Sequence, residues 1–189
     1  MRPKILKTIL LLLVLGFLSS LLFSPFQYDE TNQGYRLAND VEIEATTEAV
    51  FDYLGNSSNA SRWSVFVNNI QPLNEGEVAD GATGSKRRCF CSPGKPGSYW
   101  DEEILDVKKN RLRLLSIYNL KDFPVSMEGL VTEQLYEDKA TGSCKLTFSL
   151  VKQGKPLGFF EMVKLKWAGY YVAKVFKQNL TNIKADLEK

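Results

Sequence analysis

The stretch from Gly158 to Glu188, GFFEMVKLKWAGYYVAKVFKQNLTNIKADLE, decides the fold. Within it Met162, Leu165, Gly169, Val172, Phe176, Leu180, Ile183 and Leu187 recur at steps of three and four, which sets all of them on one side of a long helix. A helix of this kind keeps its order by laying its apolar stripe on a large apolar surface, which the chain upstream has to supply.

That upstream text reads as strands and turns. Val41, Ile43 and Ala45 alternate with Glu42 and Glu44, a strand with one buried face. A helix start follows at once: Thr46 or Thr47 can cap, Glu48 sits in the first turn, and Ala49, Val50, Phe51, Tyr53 and Leu54 form the apolar side. Gly55 to Ser58 ends that helix, and a second short helical piece runs through Arg62 to Phe66. Six further strands are expected, over Val67–Leu73, Gly84–Cys91, Tyr99–Lys108, Arg111–Leu120, Val125–Tyr136 and Cys144–Gln153, separated by turn residues such as Lys109-Asn110. Their short connections favour an antiparallel meander, because parallel neighbours need crossovers of a dozen residues or more.

At 189 residues, 44% of them hydrophobic, the chain has room for one domain and a targeting segment. Of the 24 basic residues, Arg2, Lys4 and Lys7 precede the first acid, leaving 21 against 22 acids in the remainder. That balance leaves no electrostatic footprint for nucleic acid. Histidine is absent, which excludes Ser-His-Asp, Cys-His and His-metal chemistry. Cys89 and Cys91 share one strand face and are too far apart to bridge without distortion. Cys144 could bridge to one of them, but buried small apolar residues are the simpler account of all three.

Residues 1–28 form a separate N-terminal segment, with the domain expected over 29–189. The segment is basic to Lys7 and apolar from Ile9 to Phe23, with no Ala-x-Ala-like site at its exit. The run from Thr8 to Phe26 approaches the roughly 17–25 residues that span a bilayer. An uncleaved signal-anchor is expected, with the N-terminus inside and the domain on the non-cytoplasmic (periplasmic or extracellular) side. A cleaved signal and a secreted domain are the alternative.

Val41 to Leu54, Arg62-Trp63-Ser64-Val65-Phe66 and Leu180 to Glu188 resemble the first strand and helix, the Trp-containing helix and the terminal helix end of the START-like, or SRPBCC, superfamily, which includes polyketide-cyclase-like proteins. The resemblance covers nearly all of the domain. It implies an α+β helix-grip fold: a curved antiparallel sheet of about seven strands wrapped around the C-terminal helix, with two short helices after the first strand. It also implies a cavity between sheet and helix for a lipid or another hydrophobic small molecule. No cofactor is expected, and the soluble domain is expected to be monomeric.

The expected cavity residues are Trp63, Phe66, Leu114, Tyr118, Met127, Val131, Phe148 and Phe176, taken from strand alternation and the helical pieces. Catalysis of cyclase or dehydratase type would need a carboxylate inside, and Glu102 is the weak candidate because it faces away from Asp101 and Glu103. A protein-interaction scaffold is the remaining alternative. No metal-ligand spacing, phosphate-cradling glycine loop or nucleophile elbow is present. On the long helix Phe160, Trp167 and Tyr171 recur away from the main stripe, beside Lys164 and Lys174, as an aromatic-basic face suited to a membrane surface.

Overall fold

The computed structural model describes residues 3–30, 34–91, 97–123, 128–139, 142–154 and 157–189. The N-terminal run is a single helix, α1 (Pro3–Leu22), followed by a short strand, β1 (Gln27–Asp29). Next come β2 (Gly34–Ile43), α2 (Thr47–Gly55), a 3-10 turn at Ser57–Asn59 and α3 (Ala60–Trp63). The meander is β3 (Val67–Pro72), β4 (Lys86–Cys91), β5 (Tyr99–Lys108), β6 (Leu112–Lys121), β7 (Leu130–Asp138) and β8 (Cys144–Lys152), closed by α4 (Phe159–Leu187).

The local chemistry explains these bounds. Thr46 Oγ1 accepts from the Ala49 amide at 3.2 Å and caps α2, which buries Thr47, Val50, Phe51 and Leu54. The β5–β6 turn puts Asn110 at φ 58°, the left-handed region that asparagine tolerates better than most residues. At the head of α4, Glu161 Oε2 accepts from the Gly158 amide at 3.1 Å, satisfying one of the helix's free donors.

Eight strands, rather than about seven, form one antiparallel sheet in the order β1-β2-β8-β7-β6-β5-β4-β3. The addition is β1, which pairs with β2 ahead of the strand expected first. Strand β7 begins at Leu130 instead of Val125, with Glu128 and Gly129 in a turn before it. Residues 124–127, Met127 among them, lie outside the described residues.

The helical stripe falls where its spacing puts it. Leu165, Gly169, Leu180 and Ile183 are buried, while Met162, Val172, Phe176 and Leu187 are half-buried. Leu180 and Ile183 pack with Ile43, Phe51, Leu146 and Phe148 in one core cluster. Leu165 packs with Phe26, Leu37, Leu130 and Leu150 in a second, and Phe176 touches both. Each such aliphatic or aromatic side chain contributes about 1.5–3 kcal/mol on burial, so this stripe is the main fastening of α4.

Residues between α1 and β1 pack on α4. Phe26 is 1% exposed and Ser24 2%, both against α4. Cys89 and Cys144 are buried thiols on β4 and β8, strands separated by three others, so no bridge joins them.

Candidate ligand-binding site

Cross-strand partners share a sheet face, so register settles which side chains point toward α4. Phe148 packs with Leu180 and Ile183, and its partner on β7 is Gln134, whose own partner on β6 is Arg113. The inward set therefore includes Leu130, Thr132, Gln134 and Tyr136 on β7 and Arg113, Leu115 and Ile117 on β6. Through the pairing of Ile117 with Glu102 and of Glu102 with Arg87, it continues to those two residues.

This corrects three expected cavity residues. Leu114 pairs with Glu133, Val131 with Ser116, and Tyr118 with Asp101, all on the face turned away from α4. The reason is compositional. Both faces of β6 carry leucines, and the inward face is interrupted by a 2%-exposed arginine, so the rule of apolar inside picks the wrong phase.

Of the other expected residues, Trp63, Phe148 and Phe176 lie together on the α4 side, and Phe66 lies in a separate group of rings. Ring centroids stand 6.0 Å apart for Trp63–Phe148 and 5.8 Å for Phe148–Phe176. The segment after α3 is pinned across the helix: Asn179 Oδ1 accepts from the Val65 amide at 2.9 Å, and Asn182 Nδ2 donates to the Trp63 carbonyl at 3.0 Å. Phe66 then joins Trp100 at 6.3 Å, Phe123 at 6.1 Å and Tyr171 at 5.9 Å, with Trp100–Phe123 at 5.9 Å. Phe66, Trp100 and Phe123 are half-buried and Tyr171 is exposed, so these four rings form an aromatic margin between β3, β5 and α4. Tyr171, expected on a separate membrane patch, thus belongs to this group.

Polar groups are set into the same inward face. Arg87 Nε donates to Glu102 Oε1 at 2.5 Å, and Trp100 Nε1 donates to Glu102 Oε2 at 3.3 Å. Burial works to lower the Arg87 pKa, but the Glu102 carboxylate prevails and holds it above its ordinary value. The Cys89 thiol beside them is pushed well up, first by burial and then by Glu102. Arg113 lies over the Phe51 ring at 4.4 Å and donates to the Tyr136 hydroxyl at 3.0 Å; burial pulls its pKa down. Trp63 Nε1 and Arg113 Nε are buried donors without a partner among the described residues.

Among the recesses of the described residues, two lie away from the sheet–α4 contact. One, of about 320 Å³, is lined by the loop from Pro72 to Ser85. The other, of about 400 Å³, lies under the end of α2 and is lined by Phe51, Gly55, Gly81 and Arg113 among others. No group of three or more Cys, Asp or Glu among the described residues could hold a metal ion.

The membrane-patch residues on α4 divide. Phe160 is 78% exposed, and Lys164 and Lys174 are exposed. Trp167 is half-exposed and meets α1: its ring lies 5.8 Å from Phe17, and its Nε1 donates to Ser20 Oγ at 3.0 Å. Arg87, Trp100, Arg113 and Phe123 are the site residues that pattern reading missed. Trp100 alone carried a usable signal, an indole next to an inward carboxylate position.

Residues 35–188 match the model of a family described as polyketide cyclase / dehydrase and lipid transport. No functionally curated protein matches the sequence. Among solved structures, the protein XoxI from Bacillus cereus is 15% identical, with a TM-score of 0.56 over 80% of this chain and 94% of that one. A protein from Nitrosospira multiformis is 13% identical, with a TM-score of 0.59 over 80% and 95%. Ara h 8.0201, a Bet v1-like protein, is 12% identical, with a TM-score of 0.58 over 82% and 97%. These likenesses concern the fold, a curved sheet closed on a long C-terminal helix. With the match spanning nearly the whole domain, the chain belongs to the polyketide cyclase / dehydrase and lipid transport family and has its helix-grip fold.

Proposed function

We propose that this protein binds a lipid or another hydrophobic small molecule between the inward sheet face and α4, and that α1 holds it on the non-cytoplasmic side of a membrane. The observation that carries the reading is a pair of ring groups, the margin of Phe66, Trp100, Phe123 and Tyr171 and the cluster of Trp63, Phe148 and Phe176. Aromatic walls with a few fixed polar groups are the usual chemistry of a site for an apolar ligand. The unpartnered indole N–H of Trp63 suits a guest carrying one acceptor oxygen. Support for the anchor is the 19-residue window Lys4–Leu22, long and apolar enough to cross a bilayer.

Native mass spectrometry of the purified full chain, followed by solvent extraction, tests this. A co-purifying apolar molecule is expected in wild type and in the outer-face variant Tyr118→Asp, and its loss in Phe66→Asp. An empty wild-type protein, or equal occupancy in both variants, overturns the reading.

A second reading, favoured by the inward position of Glu102, is an enzyme of cyclase or dehydratase type. It requires that Glu102 exchange protons with a substrate despite its bond to Arg87, and it predicts turnover that vanishes in folded Glu102→Gln. Lys164 and Lys174, with Phe160, Trp167 and Tyr171, fit a membrane-surface face of α4 under either reading.

A further inference from the structure

We propose that α4 is clamped to the end of α1, so that its Trp167–Tyr170 turn lies in the interfacial zone of a phospholipid bilayer and the aromatic margin beside Tyr171 faces the membrane surface. The clamp rests on geometry independent of any bound guest; its level in a bilayer rests on the anchor reading above, and the role of the margin on the ligand reading.

Length fixes the level. The 20 residues of α1 rise about 30 Å, the thickness of a bilayer's hydrocarbon core. With Leu22 at the boundary, Phe17 lies about 7.5 Å inside it. Trp167 touches Phe17 and donates to Ser20, so a retained contact carries its ring to the edge of the hydrocarbon. Tryptophan and tyrosine favour that zone, where an apolar ring and a polar N–H or O–H are both accommodated.

The joint is also chemically complete. A helix leaves its last carbonyls without partners, a heavy cost near lipid. Tyr170 OH donates to the Ser20 carbonyl at 2.9 Å, and Lys166 Nζ donates to the Leu21 carbonyl at 3.1 Å, placing a cation at the negative end of the helix dipole. Ser24 Oγ donates to the Lys166 carbonyl at 2.6 Å. Phe26 then seats on Gly169, where a Cβ would stand 3.0 Å from Phe26 Cβ. Four consecutive contacts leave no free tether between anchor and domain. Tyr171 stands one helical turn from Trp167 on the same face, so the ring margin adjoins the bilayer.

The test uses the full chain in phosphatidylcholine vesicles with acyl-brominated lipid as a fluorescence quencher. Quenching is expected in wild type and in Trp100→Phe, and its loss in Trp167→Phe. Gly169→Leu, which wedges Phe26 off α4, is expected to reduce quenching while the protein still sediments with vesicles. Equal quenching in wild type and Trp167→Phe overturns the proposal, as does an unquenched Trp167 in a chain that cross-links as a dimer, which assigns this face to a second copy. Neither result alters whether a guest co-purifies, so the clamp and the ligand reading fail separately.

Discussion

Arg87 and Glu102 face each other across β4 and β5 on the inward side of the sheet, their Nε and Oε1 atoms 2.5 Å apart and both side chains buried. A buried pair is costly to break singly, because the survivor keeps its charge in a poor solvent. Glu102→Gln is expected to destabilise by about 3–5 kcal/mol, and the Arg87→Met/Glu102→Leu double variant to recover most of that loss. Urea denaturation checks both. A nearly neutral single variant would show that Asp80, 3.6 Å from Arg87 Nη1, suffices as partner.

The two sides of β6 and β7 should respond differently. Phe148→Ala removes an inward ring that touches Trp63 and Phe176, and it is expected to cost about 3–5 kcal/mol and to abolish guest retention. Leu114→Ala lies on the opposite face and is expected to leave retention unchanged. Thermal melts paired with mass spectrometry of each variant decide the matter.

Acid sensitivity has a local source near the C-terminus. Hydrogen bonds from Lys189 and Tyr53 hold the Asp186 carboxyl at about 2, below its ordinary 3.8. A depressed folded-state value means stability that is present above 3.8 and is lost as pH falls through about 2. Asp186→Asn is expected to flatten the stability profile between those limits. An unchanged acid limb in that variant would place the sensitivity elsewhere.

Phe26 is 1% exposed although it lies next to the apolar helix. Phe26→Ala is expected to cost about 3–5 kcal/mol, the usual range for an emptied aromatic site. Denaturation of the vesicle-bound protein measures it, and a cost below about 0.5 kcal/mol, the level of ordinary surface changes, would mean that α1 and α4 are not joined as described.

Much of the fold was legible because α4 and the strands obey simple periods. The stripe from Leu165 to Ile183 is buried as its spacing requires, and Tyr99–Lys108 matches its strand residue for residue. The site was harder to read. Alternation tells which residues share a face, but not which face is covered, and Arg113, Thr132 and Gln134 make the inward side of β6 and β7 look solvated. Inward arginine is intelligible only once Phe51, Tyr136 and Gln134 are seen around it. The margin of Phe66, Trp100, Phe123 and Tyr171 assembles four separate segments, and no local period marks such a gathering. Phe26, read as the tail of the apolar run, gave no sign that its partner stands more than a hundred positions downstream.

Ser24 and the Lys166 carbonyl are 142 positions apart, and β2 finds its second neighbour only in β8. The earliest part of the domain to leave the ribosome therefore waits for the latest. Such distant pairings are slow to form, since the intervening loop entropy is lost before the contacts are gained. A nascent chain halted before β8 would carry an open edge on β2, and one halted before α4 an uncovered inner sheet face, so the domain completes its fold only once α4 has been made.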